Sequence, residues 1–178
     1  MNKNMILGVI ILIVLVIAVI FALVLTSLNN SNNKTATYTD GVIVFSYPSN
    51  MMNTTTTTGL GNKGVWNFTT SLTNNVNWLL VGKTSIFTSP QKSSSVFISY
   101  LQSGNGQVVS NATESTNPNG IKVYRYAYTL NNGTRFIYYE MDFANQDNST
   151  IYTINVWGVN QNQSQSIANQ IFNSLKLT

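Results

Sequence analysis

The side chains that could perform acid–base chemistry are few. The chain of 178 residues has nine Lys and Arg, five Asp and Glu, and neither His nor Cys. Ser–His and Cys–His catalysis, thiolate or imidazole metal sites and disulfides are therefore excluded. Glu140 and Asp142 alternate onto one face of a predicted strand, about 7 Å apart by strand rise, which is compatible with a catalytic carboxylate pair. A solvent-exposed polar strand face explains the same spacing, and we favour it.

An oxygen-rich segment follows this pair. Asp142 and Asp147, with Asn145, Asn148 and Ser149, could be drawn as a calcium loop. Calcium takes about six to eight oxygens, several of them from carboxylates, and two acids are too few. Ordinary turn chemistry of Asn, Asp and Ser is the simpler interpretation. We predict no metal, no cofactor and no enzymatic activity.

Aromatic rings and sequons are the remaining candidate sites. An aromatic platform that stacks on a sugar or peptide is one hypothesis, although most aromatic residues of a β-rich domain belong to its core. The candidate rings are Trp66, Trp78, Tyr124, Tyr126 and Tyr128. The chain has eight Asn-x-Ser/Thr sequons, close to the number expected by chance, and Asn132 and Asn148 are the best candidates for glycosylation. No cluster of Lys and Arg occurs, so we predict no nucleic-acid partner.

The elements that position these residues begin with a predicted membrane anchor. Residues 5–25 form an apolar run of 21 positions without a polar side chain, which as a helix is about 31 Å long and matches the bilayer core. A cleaved secretory signal has a shorter apolar core and a small-residue exit, and a type IV pilin leader has a processing Gly and a Glu. The run has neither pattern. Lys3 precedes it, so we expect residues 1–4 in the cytoplasm, a retained single-pass signal-anchor at 5–28 in the cell membrane, and the rest outside.

An exported domain is predicted after a polar, aperiodic stalk at 29–37. The domain covers residues 38–178, and strand signals dominate it from 38 to 159. Early strands are expected at 41–47, 65–70 and 78–87, with a loop at 51–64; residues 96–101 fit either a strand or the start of a short helix.

The closing half has stronger signals. Asn131-Asn132-Gly133 predicts a tight hairpin between antiparallel strands at 121–130 and 134–143, and 151–159 supplies a third strand. The stripe from Ile167 to Leu175 predicts an amphipathic helix over 163–175, capped by Asn162 or Ser164.

These motifs resemble those of PsbP-like domains. The opening strand Tyr38-x-x-Gly41-x-x-x-Phe45-x-Tyr47-Pro48-Ser49 is similar to the start of that family, and Asn119-Gly120, the Tyr-rich hairpin, Ile151-Tyr152-x-Ile154 and the final helix are similar to its end. Many relatives have a Trp where this chain has Met51-Met52. The resemblance covers roughly 38–178 and implies an α+β fold, an antiparallel sheet packed by helices in an α/β/α sandwich. It does not imply the family's photosynthetic role.

The predicted function is a non-catalytic binding or structural component of the cell envelope. The anchor contacts the lipid bilayer, and the domain would bind another envelope protein or a glycan. Two alternatives remain open at this stage: a carboxylate-dependent glycan hydrolase of the envelope, and a carrier of a small apolar ligand or glycan. A cleft that contains Glu140 and a second acid would favour the hydrolase, and an apolar pocket between sheet and helix would favour the carrier.

Overall fold

The computed structural model describes residues 34–54 and 67–178. The predicted anchor at 5–28, the beginning of the stalk and Trp66 lie outside these ranges. No helix in the described ranges is both long and apolar enough to cross a membrane. Residues Thr35–Thr178 form one compact unit.

The described strands are arranged in two antiparallel sheets. In chain order the strands are β1 (Thr35–Thr39), β2 (Ile43–Pro48), β3 (Met52–Asn53), β4 (Asn67–Thr73), β5 (Asn77–Thr84), β6 (Gly106–Thr116), β7 (Lys122–Leu130), β8 (Tyr138–Ala144), β9 (Ile151–Gly158) and β10 (Lys176–Leu177). The small sheet has the order β1-β2-β10 and the large sheet the order β3-β4-β5-β9-β8-β7-β6. β6 is therefore an edge strand, and β8 and β9 lie in the middle of the large sheet.

Two helices pack on opposite faces of the large sheet. Helix α1 (Pro90–Tyr100) begins after Ser89, whose hydroxyl accepts a hydrogen bond from the backbone N–H of Lys92, and it has Pro at its first position. It is followed by a wide turn at Leu101–Asn105. Helix α2 (Gln161–Ser174) buries the predicted stripe from Ile167 to Phe172, and Leu175 just after it is also buried. The predicted α/β/α arrangement is confirmed.

Strand alternation divides the core into two layers. The α2 layer, between α2 and the sheet, is apolar and includes Met141, Phe143, Ile154 and Val156, with Ile43 and Phe45 of β2. The α1 layer, between α1 and the sheet, is mainly aromatic and polar; it includes Tyr126, Tyr128, Tyr138, Trp157, Glu140, Asp142, Thr153 and Asn155. The central strands are therefore buried on both faces.

The structure corrects several sequence-based predictions. Residues Thr35–Thr39 pair with β2, so the folded unit begins within the predicted stalk. The hairpin strands are antiparallel neighbours as predicted, but their pairing stops at Tyr128 and Tyr138 and leaves a longer loop. The long edge strand β6 was not predicted. Helix α2 is capped by Asn160, whose side chain accepts from the N–H of Gln163, and not by Asn162 or Ser164.

Candidate functional site

Glu140 and Asp142 are buried beneath α1, and the predicted solvent-exposed face is wrong. Their exposed fractions are 5% and 0%. Both side chains point into the α1 layer because they alternate with Tyr139 and Met141, which face the other way. The prediction of an exposed face failed because α1 covers this face of the strand, which the sequence alone suggests is open to solvent.

Four donors surround the carboxylate of Glu140. Tyr126 Oη and Thr153 Oγ1 donate to its Oε1 at 2.5 and 3.2 Å, and Tyr128 Oη and Asn155 Nδ2 donate to its Oε2 at 2.9 and 2.6 Å. An ionised carboxylate has about four acceptor sites, so every site is used. Burial raises the pKa of Glu140, while the hydrogen bonds from Tyr126, Tyr128 and Thr153 oppose this shift.

Asp142 is less well satisfied than Glu140. Its Oδ2 accepts from Ser93 Oγ at 3.2 Å and lies 3.3 Å from Tyr126 Oη, whose single proton is donated to Glu140, and its Oδ1 is buried without a hydrogen-bond partner in the described residues. Burial raises the pKa of Asp142 well above its usual range, and the negative charge of Glu140 raises it further. This distribution of donors favours an ionised Glu140 beside a protonated Asp142, linked through the phenol of Tyr126.

The carboxylate pair supports the packing of α1. Ser93 on α1 reaches Asp142, and Ser93 and Ser94 are both 1% exposed. Small hydroxyl side chains let the helix approach the sheet while the polar atoms remain hydrogen-bonded. A surface-bound glycan would not reach these carboxyl groups in this arrangement.

The four described rings of the predicted aromatic platform are not brought together on an accessible surface. Tyr126 and Tyr128 are buried, 3% and 0% exposed, and their hydroxyls belong to the carboxylate network. Trp78 is half-buried and stacks on Trp157, with ring centroids 6.3 Å apart. Trp66 lies outside the described residues. Tyr124 is half-buried and lines an open pocket.

That pocket lies at the end of the large sheet where the β6–β7 and β8–β9 turns meet the beginning of α1. Its volume is about 840 Å³. Polar and apolar surface contribute about equally to its lining, and the polar side chains include five amides and three charged groups: Gln91, Asn119, Asn145, Gln146, Asn148, Glu114, Lys122 and Lys176. A volume in this range is typical of small-molecule sites, but such sites are usually more apolar.

One wall of the pocket is held by a chain of polar contacts. Glu114 Oε1 pairs with Lys122 Nζ at 3.0 Å, and Glu114 Oε2 accepts from Tyr124 Oη at 2.8 Å. The hydrogen bonds from Tyr124 and Lys122 lower the pKa of Glu114, which is therefore ionised at neutral pH. An ionised Glu114 accepts hydrogen bonds and does not act as a general acid.

Hydrogen bonds also fix the two turns that line the pocket. Asn119 Nδ2 donates to the carbonyl of Leu175 at 2.9 Å, which ties the β6–β7 turn to the end of α2. Asn145 accepts from the N–H of Thr150 and donates to Ser149 Oγ, so the segment considered for calcium forms a hydrogen-bonded turn. The described residues contain no group of three or more potential ligands of the Asp, Glu, His or Cys type.

The sequon candidates lie at the surface. Asn132 is exposed in the β7–β8 loop, where its side chain accepts from the N–H of Thr134. Asn148 is exposed and lies in the lining of the pocket. Glycosylation of either residue stays a prediction.

Sequence reasoning missed the pocket because its lining is drawn from segments that are distant along the chain. Glu114 and Lys122 flank the β6–β7 turn, Asn145 and Gln146 follow β8, and Gln91 begins α1. The sequence signal that could have revealed the pocket is the pair of Asn-containing turns, β6–β7 and β8–β9. Only if β6 is recognised as a strand can these two turns be placed at the same end of the antiparallel sheet.

With this geometry in hand, the described domain can be compared with solved structures. It is similar to the solution structure of cyanobacterial PsbP (CyanoP) from Synechocystis sp. PCC 6803, with a TM-score of 0.56 at 11% identity over 82% of this chain and 92% of that chain. A crystal structure of LpqN, involved in cell envelope biogenesis of Mycobacterium tuberculosis, matches with a TM-score of 0.45 at 10% identity, over 82% of this chain and 91% of that chain. No protein-family model and no curated protein matches the sequence.

The class of protein follows from these findings. The domain is α+β, with an antiparallel sheet between two helices. Its fold is PsbP-like, as the order of sequence motifs predicted. At this level of identity the similarity concerns the fold and does not extend to function.

Proposed function

We propose that the chain is a membrane-anchored extracytoplasmic domain that binds a glycan of the cell envelope without chemical turnover. The location rests on the apolar run within 5–28 and on Lys3 before it. The binding role rests on the pocket at the end of the large sheet, hereafter the end pocket.

The composition of the end pocket is the observation that supports a glycan. Sugar hydroxyls both donate and accept, and so do the side-chain amides of Gln91, Gln146 and Asn148, which are exposed in the lining. The ionised Glu114 adds two strong acceptor oxygens. The half-buried ring of Tyr124 supplies an apolar surface beside its polar tip, which suits the C–H face of a sugar.

The described structure gives less support to the alternatives. A glycan hydrolase needs two accessible carboxyl groups, but Glu140 and Asp142 are buried and Glu114 is held ionised. A carrier of an apolar ligand needs an apolar pocket between helix and sheet. Ile167, Ile171 and Phe172 pack directly into the α2 layer, and the cavity of about 370 Å³ beside the helix has Arg125 and Gln165 in its lining.

Binding can be tested with the full chain in detergent micelles. Isothermal titration calorimetry with chitotetraose, cellotetraose and mannotetraose should detect binding of at least one neutral oligosaccharide. Gln146→Ala should weaken that binding about fivefold, the value of one net hydrogen bond. Gln161→Ala is the matched control, because Gln161 is exposed and does not line the pocket.

Failure of all three sugars to bind, or equal effects of the two Gln variants, would contradict the pocket assignment. Chromatography of the sugars after overnight incubation separates binding from turnover, since shortened products would show a hydrolase. For the location, protease added to intact cells should digest the domain; protection until lysis would contradict the proposed orientation.

Glycosylation of Asn148 would compete with ligand binding in the end pocket. A glycan attached to Asn148 would project into the end pocket, because Asn148 is part of its lining. We therefore expect a protein isolated with Asn148 modified to bind oligosaccharide more weakly than the Thr150→Ala variant, which lacks the sequon but keeps the Asn148 side chain, as checked by intact mass and titration.

A further inference from the structure

A second cavity lies on the opposite face of β6. It has a volume of about 370 Å³ and runs beside α2, between that helix and the edge of the large sheet. Its lining includes hydroxyl side chains of β6, namely Ser110, Thr113 and Ser115, and the side chains of Arg125 and Gln165. We call it the edge groove. It is separate from the end pocket, whose lining includes Glu114 and Tyr124 on the other face of the same two strands.

Arg125 is held in a fixed orientation at this groove. Its guanidinium carbon lies 4.2 Å from the centroid of the Phe172 ring, and its Nη2 donates to Asn169 Oδ1 at 2.5 Å. Asn169 and Phe172 are three positions apart on α2 and so lie on the same side of the helix. Stacking from one side and a hydrogen bond from another leave the planar group little freedom.

Arg125 forms no ion pair within the described residues. All five acids of the chain belong to the described residues and make other contacts. Glu140 and Asp142 point into the α1 layer, Glu114 pairs with Lys122, Asp40 accepts from Tyr152 Oη, and Asp147 accepts from the N–H of Ser149. The guanidinium is half-buried, and burial lowers the pKa of Arg125, so its charge lacks both full hydration and a carboxylate.

β-Bulges orient the β6 side of the groove, next to Arg125. The pairing of β6 with β7 shifts between Val108 and Ser110 and again between Ser110 and Thr113. Bulges redirect side chains at sheet edges and are frequent beside binding sites. Here they bring the hydroxyls of Ser110 and Thr113 into the lining that Arg125 shares.

From this geometry we propose that the edge groove binds a carboxylate on a small polar molecule, such as the carboxylate of a hexuronic acid. A guanidinium with one N–H in use has four remaining donors and can bind a carboxylate through two of them. The β6 hydroxyls and Gln165 complete the site by bonding to neighbouring hydroxyls of the ligand. Arg125 is the one cationic residue in the groove lining. Glu140 is the one acid there, and its carboxylate is turned into the α1 layer, so a monoanion matches the charge of Arg125 better than a phosphate dianion. This site does not depend on the glycan proposed for the end pocket.

The test compares three probes on the full chain in detergent micelles. Glucuronate should bind, glucose should bind at least tenfold more weakly, and glucose 6-phosphate should bind no better than glucuronate. Raising the salt concentration should weaken glucuronate binding because the site is partly exposed. Absence of glucuronate binding, equal binding of glucose, or tighter binding of the phosphate would each overturn the proposal.

Variants then assign the binding to Arg125. Arg125→Gln should reduce glucuronate affinity at least tenfold, and Arg125→Lys should reduce it although it keeps the charge, because Lys lacks the planar fork. Arg135→Gln is the matched control, since Arg135 is the other arginine of the chain, is exposed, and lies outside the groove lining.

A third variant covers the case in which Arg125→Gln unfolds the protein. Asn169→Ala removes an exposed side chain that orients the guanidinium. It should weaken glucuronate binding severalfold without changing the melting temperature of the protein. Unchanged glucuronate affinity in Asn169→Ala and in whichever Arg125 variants fold would show that the edge groove is not the site.

Discussion

The two faces of the large sheet are built from the same strands but by different chemistry. On β8 and β9, Met141, Ile154 and Val156 face α2 in an apolar layer. The alternate residues, which include Glu140 and Asn155, face α1 in a layer of hydrogen-bonded polar groups and aromatic rings. Both layers consist largely of buried residues. Burial alone therefore does not distinguish the two faces, and their stability depends on different terms, apolar packing in one and complete hydrogen bonding in the other.

The helices differ in the same way as the layers that they cover. The buried positions of α2 are mostly apolar, including Ile167, Ile171 and Phe172, whereas the fully buried positions of α1 are Ser93 and Ser94. An apolar stripe is the sequence signal of a packed helix, and α1 has only a weak one. A helix of this kind fits over a polar layer because its small hydroxyls add hydrogen bonds and little bulk.

The largest effect is expected in the α2 layer. Ile154 is fully buried there, and Ile154→Ala should lower the free energy of unfolding by roughly 2–5 kcal/mol, since it removes transfer energy and leaves a cavity. Urea unfolding followed by tryptophan fluorescence measures the change. Val159→Ala is the control, because Val159 is 70% exposed, and it should change the free energy by less than about 0.5 kcal/mol. Similar losses in both variants would show that the α2 layer is loosely packed.

An intermediate effect is expected from a single hydroxyl in the α1 layer. Tyr128 Oη donates to Glu140 and accepts from Asn155 Nδ2 at 2.6 Å. Tyr128→Phe leaves both partners short of a hydrogen bond in a buried site and should cost about 1–3 kcal/mol in urea unfolding.

Tyr138→Phe is the matched control for this comparison. Its ring stacks on Tyr128 at 5.2 Å, but its hydroxyl makes no hydrogen bond with the described residues. The variant should unfold at nearly the wild-type urea concentration. If Tyr128→Phe is equally harmless, the α1 layer is stabilised by ring packing and not by its hydrogen bonds.

The contrast between the layers also explains what could be predicted from the sequence. The stripe from Ile167 to Leu175 and the strand at 151–159 follow simple periodicities, and the structure confirms both. The order of motifs predicted the PsbP-like fold. For α1 the sequence allows either helix or strand at 96–101, because the polar residues at 89–95 give no apolar period, although Ser89-Pro90 is a typical helix start.

The candidate site was harder to predict than the fold, and the reason is contact between distant segments. Without α1, Glu140 and Asp142 look like a polar outer face, and without β6 the residues of the end pocket and the edge groove have no common location. Tyr124 was singled out as part of an aromatic row, but alternation along β7 says nothing about which members of the row a helix covers. Exposure is set by tertiary packing.

The smallest effect is expected from the proton on Asp142, as a gradual change of the free energy of unfolding with pH. Its pKa is raised well above the usual range by burial and by the charge of Glu140, so the folded protein binds this proton more tightly than the unfolded chain. Its contribution to stability is therefore fully present below about pH 3.9, the unfolded value, and is lost as the pH rises through the folded pKa. Relative to Asp142→Asn, which cannot ionise, the wild type should lose stability from acid to neutral pH in urea unfolding.

Asp147→Asn tests the opposite case. Hydrogen bonds from Ser149 lower the pKa of the exposed Asp147, so this residue should contribute a small stabilisation above its unfolded pKa that is lost on acidification. Difference curves of the same sign for Asp142 and Asp147 would contradict the assignment of a buried protonated carboxyl to the α1 layer.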